Sequence, residues 1–198
     1  RGATACTACG AGTYSAASTD APCAECGAGS VTNTGSEPGA TTCTACAAGQ
    51  YSAAPVDACG DCQAGTYSGS TGSTTCAPCE AGSITSTGAK GGASSCRECS
   101  AGKYSTVSAA SECTECAAGE YQSSAGQTGC VVCDAGKFQS ADGQSYCDGC
   151  QAGSITDKGA ESGATACTAC GAGRYSTASN VASCIECAKG YITNTGPA

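Results

Sequence analysis

Histidine, methionine, tryptophan and leucine are absent from the sequence, and large apolar side chains of any kind are scarce. Its 198 residues include only 6 Val, 4 Ile, 8 Tyr and 1 Phe. Burial of apolar surface contributes roughly 25 cal/mol per Å², whereas ordering the backbone costs about 1–2 kcal/mol per residue. So few large side chains cannot offset that cost along the whole chain. A conventional hydrophobic core is therefore excluded, and another force must stabilise the fold.

Other residue types and motifs that the sequence lacks exclude several classes of function. Without histidine the chain lacks the commonest general base, and its acidic residues are mostly isolated. No Asp-x-Asp-x-Asp-Gly calcium loop occurs. Only 8 basic residues and a net charge of −8 give no electrostatic footprint for nucleic acid, and no apolar run has the length of a membrane span. These features predict a protein that is not an enzyme, carries no cofactor, binds no nucleic acid and does not span a membrane.

Cysteine and glycine are abundant, with 22 and 30 residues respectively. A chain rich in Gly, Ser, Thr and Ala invites disorder, but the regular spacing of the cysteines argues against it. Cysteine at this density is typical of an oxidising compartment, so we expect an extracellular or cell-surface protein. Every cysteine belongs to one of eleven Cys-x-x-Cys pairs, at 6/9, 23/26, 43/46, 59/62, 76/79, 96/99, 113/116, 130/133, 147/150, 167/170 and 184/187.

The residues after each pair also repeat. The third residue after the second cysteine is always glycine, which predicts a turn with positive φ or a close approach of two chain segments. The fifth residue is always large and apolar, which predicts a side chain packed on the disulfides. The turn glycines are Gly12, Gly29, Gly49, Gly65, Gly82, Gly102, Gly119, Gly136, Gly153, Gly173 and Gly190.

Cys-x-x-Cys pairs fit three chemistries. A four-cysteine zinc framework is disfavoured because 22 cysteines do not divide into fours and no histidine is present. A redox-active pair needs a thioredoxin-like scaffold, which nothing in the sequence supplies. Structural disulfides remain. Successive pairs could form modules with crossed bonds, but the 17-residue intervals follow no two-unit rhythm.

We therefore predict that the second cysteine of each pair bonds the first cysteine of the next. Each loop so closed contributes about 3 kcal/mol in the chain-entropy model. Cys187 would bond Cys6 of a following copy, because the joined ends span 17 residues, the length of the long intervals. The ten loops within the chain are Cys9–Cys23, Cys26–Cys43, Cys46–Cys59, Cys62–Cys76, Cys79–Cys96, Cys99–Cys113, Cys116–Cys130, Cys133–Cys147, Cys150–Cys167 and Cys170–Cys184.

The expected fold is an array of small disulfide-rich tandem repeats without helix, each a short hairpin with strands of about 3–4 residues. Such repeats contact mainly their neighbours, which predicts an extended rod or solenoid-like array. Residues 1–8 would end a preceding repeat, and residues 187–198 would begin one that the next copy completes. The repeats between them are 9–25, 26–45, 46–61, 62–78, 79–98, 99–115, 116–132, 133–149, 150–169 and 170–186.

The motif Cys-x-x-Gly-x-Tyr followed by Cys-x-x-Cys, as at Cys9 to Tyr14, resembles the ephrin-receptor-like cysteine-rich repeat over the whole chain. It is also similar to the first small submodule of tumour-necrosis-factor receptor ectodomains, where one disulfide closes a loop around a Gly-x-Tyr turn. That resemblance supports the sequential pairing. Such repeats occur in ciliate surface antigens, in algal flagellar-hair (mastigoneme) proteins and in animal receptors. The plain Ala/Gly/Ser/Thr filling and the missing crossed submodule depart from receptors and favour a surface or filament protein.

We accordingly expect an extracellular structural protein that forms a filament or a surface coat, with copies of itself joined head to tail as partners. The alternative is a cell-surface adhesion or receptor ectodomain that binds a protein partner, for which Val131, Val132 and Phe138 are the nearest candidate surface.

Two polar features carry weaker expectations. Clustered hydroxyls predict O-linked glycans, for example on Thr41, Thr42, Thr74 and Thr75. Five carboxylates each directly precede the second cysteine of a pair. We favour a solvated face for them over a calcium-binding stripe. They are Glu25, Asp61, Glu98, Glu115 and Glu186.

Overall fold

The computed structural model describes residues 5–17, 21–55, 58–177 and 183–193. Across these residues there is no helix, and the strands form ten separate two-stranded hairpins. The predicted fold class, small disulfide-rich hairpin repeats without helix, is confirmed. The rod-like arrangement and the repeat boundaries stay predictions. Residues 1–4 and 194–198, which belong to the two predicted terminal part-repeats, lie outside the described residues.

The chain divides into two compact units. One comprises Arg1–Arg97 and Val107–Glu112, and the other comprises Glu98–Thr106 and Cys113–Ala198. In chain order the paired strands are β1 (Thr13–Tyr14) with β2 (Ala24–Glu25), β3 (Ser30–Thr32) with β4 (Cys43–Ala45), β5 (Gln50–Tyr51) with β6 (Gly60–Asp61), β7 (Thr66–Tyr67) with β8 (Ala77–Pro78), β9 (Ser83–Thr85) with β10 (Cys96–Glu98), β11 (Lys103–Tyr104) with β12 (Thr114–Glu115), β13 (Glu120–Tyr121) with β14 (Val131–Val132), β15 (Lys137–Phe138) with β16 (Asp148–Gly149), β17 (Ser154–Thr156) with β18 (Cys167–Ala169), and β19 (Arg174–Tyr175) with β20 (Ile185–Glu186).

The strands of the short loops are shorter than the predicted 3–4 residues, whereas those of the long loops have three. Short loops pair two residues per strand, as in Gln50↔Asp61 and Tyr51↔Gly60. Long loops pair three, because a threonine extends the first strand to face the closing cysteine, as in Thr32↔Cys43. A tight turn precedes the first strand of each hairpin, so the ladder cannot extend further in that direction.

Ten disulfides close ten loops, one across each hairpin, with Cα–Cα distances of 5.5 to 5.8 Å. They join the same cysteines as the sequential pairing, from Cys9–Cys23 to Cys170–Cys184. Cys6 and Cys187 are unpaired in the chain. The first cysteine of nine loops, from Cys9 to Cys150, is buried, whereas the cysteine that closes each loop is at least partly exposed. The core therefore lies on the side of the disulfides that carries the opening cysteines.

The position that completes this core differs from the predicted one. The large apolar residue, fifth after the cysteine, is half-buried in most repeats, and Ile84 alone among the described ones is buried. The residue after it, sixth after the cysteine, is buried in nine repeats and is always polar. A small hydroxyl or amide fits a narrow interior in which every polar group finds a partner. These residues are Thr32, Ser52, Ser68, Thr85, Ser105, Gln122, Gln139, Thr156 and Ser176.

Candidate assembly interface

Each repeat opens with the same turn. The residue after the turn glycine donates its N–H to the carbonyl just after the cysteine, as Thr13 does to Gly10 at 3.1 Å. All eleven turn glycines have φ between +76° and +89°. That combination is a type II turn with glycine at its third position, where other residues are strained. All eleven turn glycines therefore lie in the left-handed region of φ.

The turn glycine also connects consecutive repeats. Its carbonyl accepts the N–H of the cysteine that opens the next loop, as from Cys26 to Gly12 at 3.0 Å and from Cys116 to Gly102 at 2.9 Å. Each hairpin is thus continued by a backbone hydrogen bond into the start of its successor.

A second backbone position, four residues before the closing cysteine, was missed by sequence reasoning. We call it the tip residue. Its N–H donates to the carbonyl of the cysteine that opens the preceding loop, at 2.7 to 2.9 Å. In the seven described loops that make this hydrogen bond φ is positive, and the residue is glycine except at Ala109. The loop Cys46–Cys59 departs from the pattern, because its tip residue is Pro55, which has no N–H to donate. The hydrogen bonds are Gly39 to Cys9, Gly72 to Cys46, Gly92 to Cys62 and Ala109 to Cys79 in the first unit, and Gly126 to Cys99, Gly143 to Cys116 and Gly163 to Cys133 in the second.

Tip residues also reach the loop before the preceding one. A Cβ built on Gly29 would overlap the carbonyl oxygen of Gly72, two loops later. In the second unit a Cβ on Gly119 would lie 2.6 Å from the carbonyl oxygen of Gly163. The expectation that repeats contact mainly their neighbours is therefore incomplete. Turn glycines allow backbones to approach across two loops, which no larger residue would permit.

The five carboxylates before the second cysteines lie on hairpin strands, opposite the residue that follows the turn glycine. Asp61 accepts a hydrogen bond from Gln50 at 2.9 Å, and Glu115 pairs with Lys103 at 2.9 Å. Glu186 pairs with Arg174 at 2.6 Å. Glu98 and Glu115 also lie against the tip residues of later loops, Gly126 and Gly143. These contacts place the carboxylates in separate cross-strand pairs.

Neither a metal cluster nor a membrane helix occurs in the described ranges. No three His, Cys, Asp or Glu side chains there come together to hold a metal ion. The same residues contain no helix long and apolar enough to cross a membrane.

The long loops carry an additional polar cluster. The buried hydroxyl of Thr85 donates to the carbonyl of Gly88 at 2.6 Å, and that of Thr156 donates to Gly159 at 2.9 Å. The next residue binds the returning segment, because Asp157 accepts from both the N–H and the hydroxyl of Thr165. Desolvation acts to raise the pKa of Asp157, but hydrogen bonds from Thr165 and Ala166 outweigh it and hold the pKa below its ordinary value.

The last repeats leave uncovered the surface that later loops cover elsewhere. Turn glycines from Gly12 to Gly136 are buried, whereas Gly153, Gly173 and Gly190 are exposed. No described atom would lie within 4 Å of a Cβ on any of these three. Tyr175 is 39% exposed and Ile192 is 92% exposed. The exposed surface here includes these apolar side chains and keeps the positive-φ turns of the covered repeats.

Each unpaired cysteine lies on the wall of a groove. A groove of about 500 Å³ adjoins Cys187 and is lined by Tyr175, Tyr191 and Ile192. A separate groove of about 610 Å³ contains Cys6 and Cys9 in its lining. Cys6 is exposed and Cys187 is half-buried.

Residues 119–164 match the family model described as tyrosine-protein kinase ephrin type A/B receptor-like. This segment therefore resembles the ephrin-receptor-like cysteine-rich repeat, and the tandem disulfides continue the same loop pattern on both sides of it. The matched segment begins at the turn glycine Gly119 and ends at Ala164, directly after the tip residue Gly163 that covers Gly119. No curated protein matches the chain.

The ephrin-receptor-like family is a receptor-type, disulfide-rich repeat and not a catalytic fold. Its match, together with ten tandem disulfides, points to an extracellular or secreted protein.

Proposed function

We propose that this protein has a structural role outside the cell, and that its ephrin-receptor-like repeats continue from one copy into the next to form a filament or a surface coat. The observation that carries the proposal is the uniformity of the contacts. Tip residues in both units make the same hydrogen bond to the preceding loop, while the last repeats leave the equivalent surface exposed. A surface that matches the opposite end of the same molecule generates open assemblies by head-to-tail contact.

The two unpaired cysteines support the same proposal. A disulfide between Cys187 of one copy and Cys6 of the next would close a loop with the 17-residue separation of Cys150–Cys167. We propose no catalytic role, no cofactor and no calcium site for this assembly, and copies of the chain as its partners.

Electron microscopy of the purified, oxidised chain tests the proposal, combined with peptide mapping without reduction. We expect elongated assemblies and a peptide that joins Cys187 to Cys6. Cys6→Ser should stop growth at short species while the ten internal disulfides remain. A preparation that contains only isolated single copies, with both thiols still free, would contradict the assembly.

An adhesion or receptor ectodomain is the second candidate. Val131 and Val132, on strand β14, are 48% and 45% exposed, whereas Phe138 is half-buried. The matched receptor-like segment includes all three residues. A partner captured saturably by the chain, and lost in Val131→Thr, would favour this candidate over the structural one.

We further propose that some hydroxyls carry O-linked glycans. Thr41, Thr42, Thr74 and Thr75 are all exposed, which a glycosyltransferase requires. An intact mass equal to the bare 18.7 kDa polypeptide would refute the modification.

A further inference from the structure

Interior repeats show which segment covers the surface that is open at the last repeats. Tyr67 forms a parallel bridge with Ala93, and Phe138 forms one with Ala164. Both alanines have 0% exposure, and each directly follows a tip glycine of a long loop. Tyr175 occupies the same position in its repeat as Tyr67 and Phe138, but its side chain is 39% exposed. Its surface therefore matches a site that elsewhere contacts a Gly-Ala dipeptide and buries the alanine.

The chain contains a second copy of that covering segment. The sequence from Gly2 to Gly12 is identical, residue by residue, to the sequence from Gly163 to Gly173. In the folded chain Gly163 and Ala164 dock on the loop opened by Cys133. The stretch that starts at Gly2 therefore has the composition to dock on a loop of the same type.

We propose that Gly2 and Ala3 of a second copy dock into the groove beside Cys187, an inference that rests on the assembly proposed above. Three contacts follow from the interior geometry. Gly2 donates its N–H to the carbonyl of Cys170, as Gly163 does to Cys133 at 2.8 Å. Ala3 bridges Tyr175, as Ala164 bridges Phe138. The carbonyl of Gly2 covers Gly153, as that of Gly163 covers Gly119.

The occupant fits the groove in size and polarity. The interior alanines are buried completely, so the site accepts a methyl group and excludes larger side chains. The groove has a volume of about 500 Å³, and its apolar lining includes Tyr175, Tyr191 and Ile192. A Gly-Ala dipeptide adds backbone hydrogen bonds to this apolar contact, as strand-edge recognition does in general.

Docking brings Cys6 of the second copy towards Cys187 and thereby promotes their oxidation. The oxidant is a small-molecule disulfide such as oxidised glutathione. The Cys187 thiolate attacks one of its sulfurs, which forms a mixed disulfide and releases one glutathione thiolate. The Cys6 thiolate then displaces the second glutathione. Two protein thiols become one disulfide, the oxidant is reduced to two thiols, and the two protons pass to the released thiolates.

The rate at which linked dimers form in glutathione buffer tests the docking, with the full 198-residue chain. We expect Gly2→Val to slow formation of the Cys6–Cys187 link at least about tenfold, because a β-branched residue rarely adopts positive φ, and at the equivalent Gly163 a Cβ would already lie 2.9 Å from the side chain of Val132. Ala5→Val is the matched control. Its equivalents Thr42 and Ala166 are exposed, so its rate should stay within about twofold of the wild type. Both variants should retain ten disulfides and two free thiols before oxidant is added.

A photo-crosslinker at Ile192 provides a second readout. We expect it to label residues 1–5 of another copy. Linking of Gly2→Val at the wild-type rate, or labelling of another segment in assemblies that still form, would overturn the docking while the proposed assembly stands. If the wild-type chain forms neither linked species nor larger assemblies, the proposed function fails and the docking fails with it.

Discussion

At the scale of single residues, backbone conformation decides more than side-chain chemistry. Positive φ recurs at two positions in most described repeats, the turn glycine and the tip residue, and the long loops add a third at Gly35, Gly88 and Gly159. At the turn glycine a second constraint is added, because in Gly29, Gly65 and Gly102 a Cβ would overlap a carbonyl oxygen two loops later. The cost of backbone strain and the cost of steric overlap can be measured separately, because the chain contains glycines with positive φ alone, with both positive φ and overlap, and with neither.

Gly102→Ala should destabilise its loop more than Gly173→Ala. Gly173 has positive φ with no described atom within 4 Å of a Cβ, so its substitution costs only the strain, about 1–2 kcal/mol. At Gly102 overlap with Gly143 adds about 1–3 kcal/mol. Gly171→Ala is the neutral control, because its φ is not positive and its surroundings are open. Opening free energies from hydrogen exchange measure all three, and equal effects at Gly102 and Gly173 would exclude the two-loop contact.

Ala109 occupies a tip position with φ of 60°, whereas the other described tip residues that donate to the preceding loop are glycines. Ala109→Gly should therefore strengthen the hydrogen bond from residue 109 to Cys79, by about 0.5–1 kcal/mol, because relief of strain exceeds the added backbone entropy. Ala110→Gly serves as the comparison. Its φ is not positive, so it should weaken the same loop by about 0.5–1 kcal/mol. Exchange of the residue-109 amide reports both, and a faster exchange in Ala109→Gly would contradict the prediction.

At the scale of the element, hydrogen bonds determine the form of each hairpin, and they do so with little of the apolar packing that ordinarily supports a hairpin. Strands of two or three residues form no independent ladder. Each is held between a turn and a disulfide, with a polar residue buried beneath. In the long loops that residue is a threonine whose hydroxyl donates to a carbonyl three residues later, as Thr85 does to Gly88.

Thr85→Val tests the contribution of that hydroxyl. Valine keeps the shape of the side chain but leaves the carbonyl of Gly88 without this donor, so the loop should lose about 1–3 kcal/mol. Thr85→Ser keeps the donor and loses a methyl group, and it should cost about 0.8 kcal/mol. The amide of Gly88, which donates to the carbonyl of Thr85, reports the opening of this turn. A smaller loss in the valine variant than in the serine variant would show that packing, not hydrogen bonding, matters here.

Asp157 gives one long loop a dependence on pH. Its folded-state pKa lies below the ordinary value of 3.8, so its stabilising contribution is complete above that value and is lost as pH falls through the lowered pKa. Asp157→Asn should abolish the acid dependence, because an amide does not titrate in this range. Asn33 already occupies the equivalent position in another loop and accepts from Thr41 there. Amide exchange of Thr165 between about pH 2 and pH 5 measures the effect, and a pH-independent wild type would contradict it.

At the scale of the whole molecule, a feature could be predicted from the sequence when residues close together in the chain determine it. The disulfide pairing and the turn glycines depend on short intervals that repeat along the chain. The tip residue was missed because it lies at different distances from the opening cysteine in short and long loops, and recurs only when counted back from the closing cysteine. Contacts across two loops, such as Gly29 with Gly72, arise from tertiary packing that no local pattern encodes.

The dependence of the fold on disulfides within short loops also predicts how it responds to reduction. The ten disulfides constrain the unfolded chain by about 3 kcal/mol each, while the small buried side chains and two-residue strand pairs cannot hold the chain without them. Reduced and alkylated protein should lose its hairpins, exchange the tip amides of Gly126 and Gly143 rapidly, and be cleaved by trypsin after Lys103 and Lys137. Protein heated without reductant, then cooled, should recover slow exchange and resist cleavage. Slow exchange of these amides in the reduced chain would mean that hydrogen bonds and packing alone maintain the repeats, and that the disulfides only secure an already stable fold.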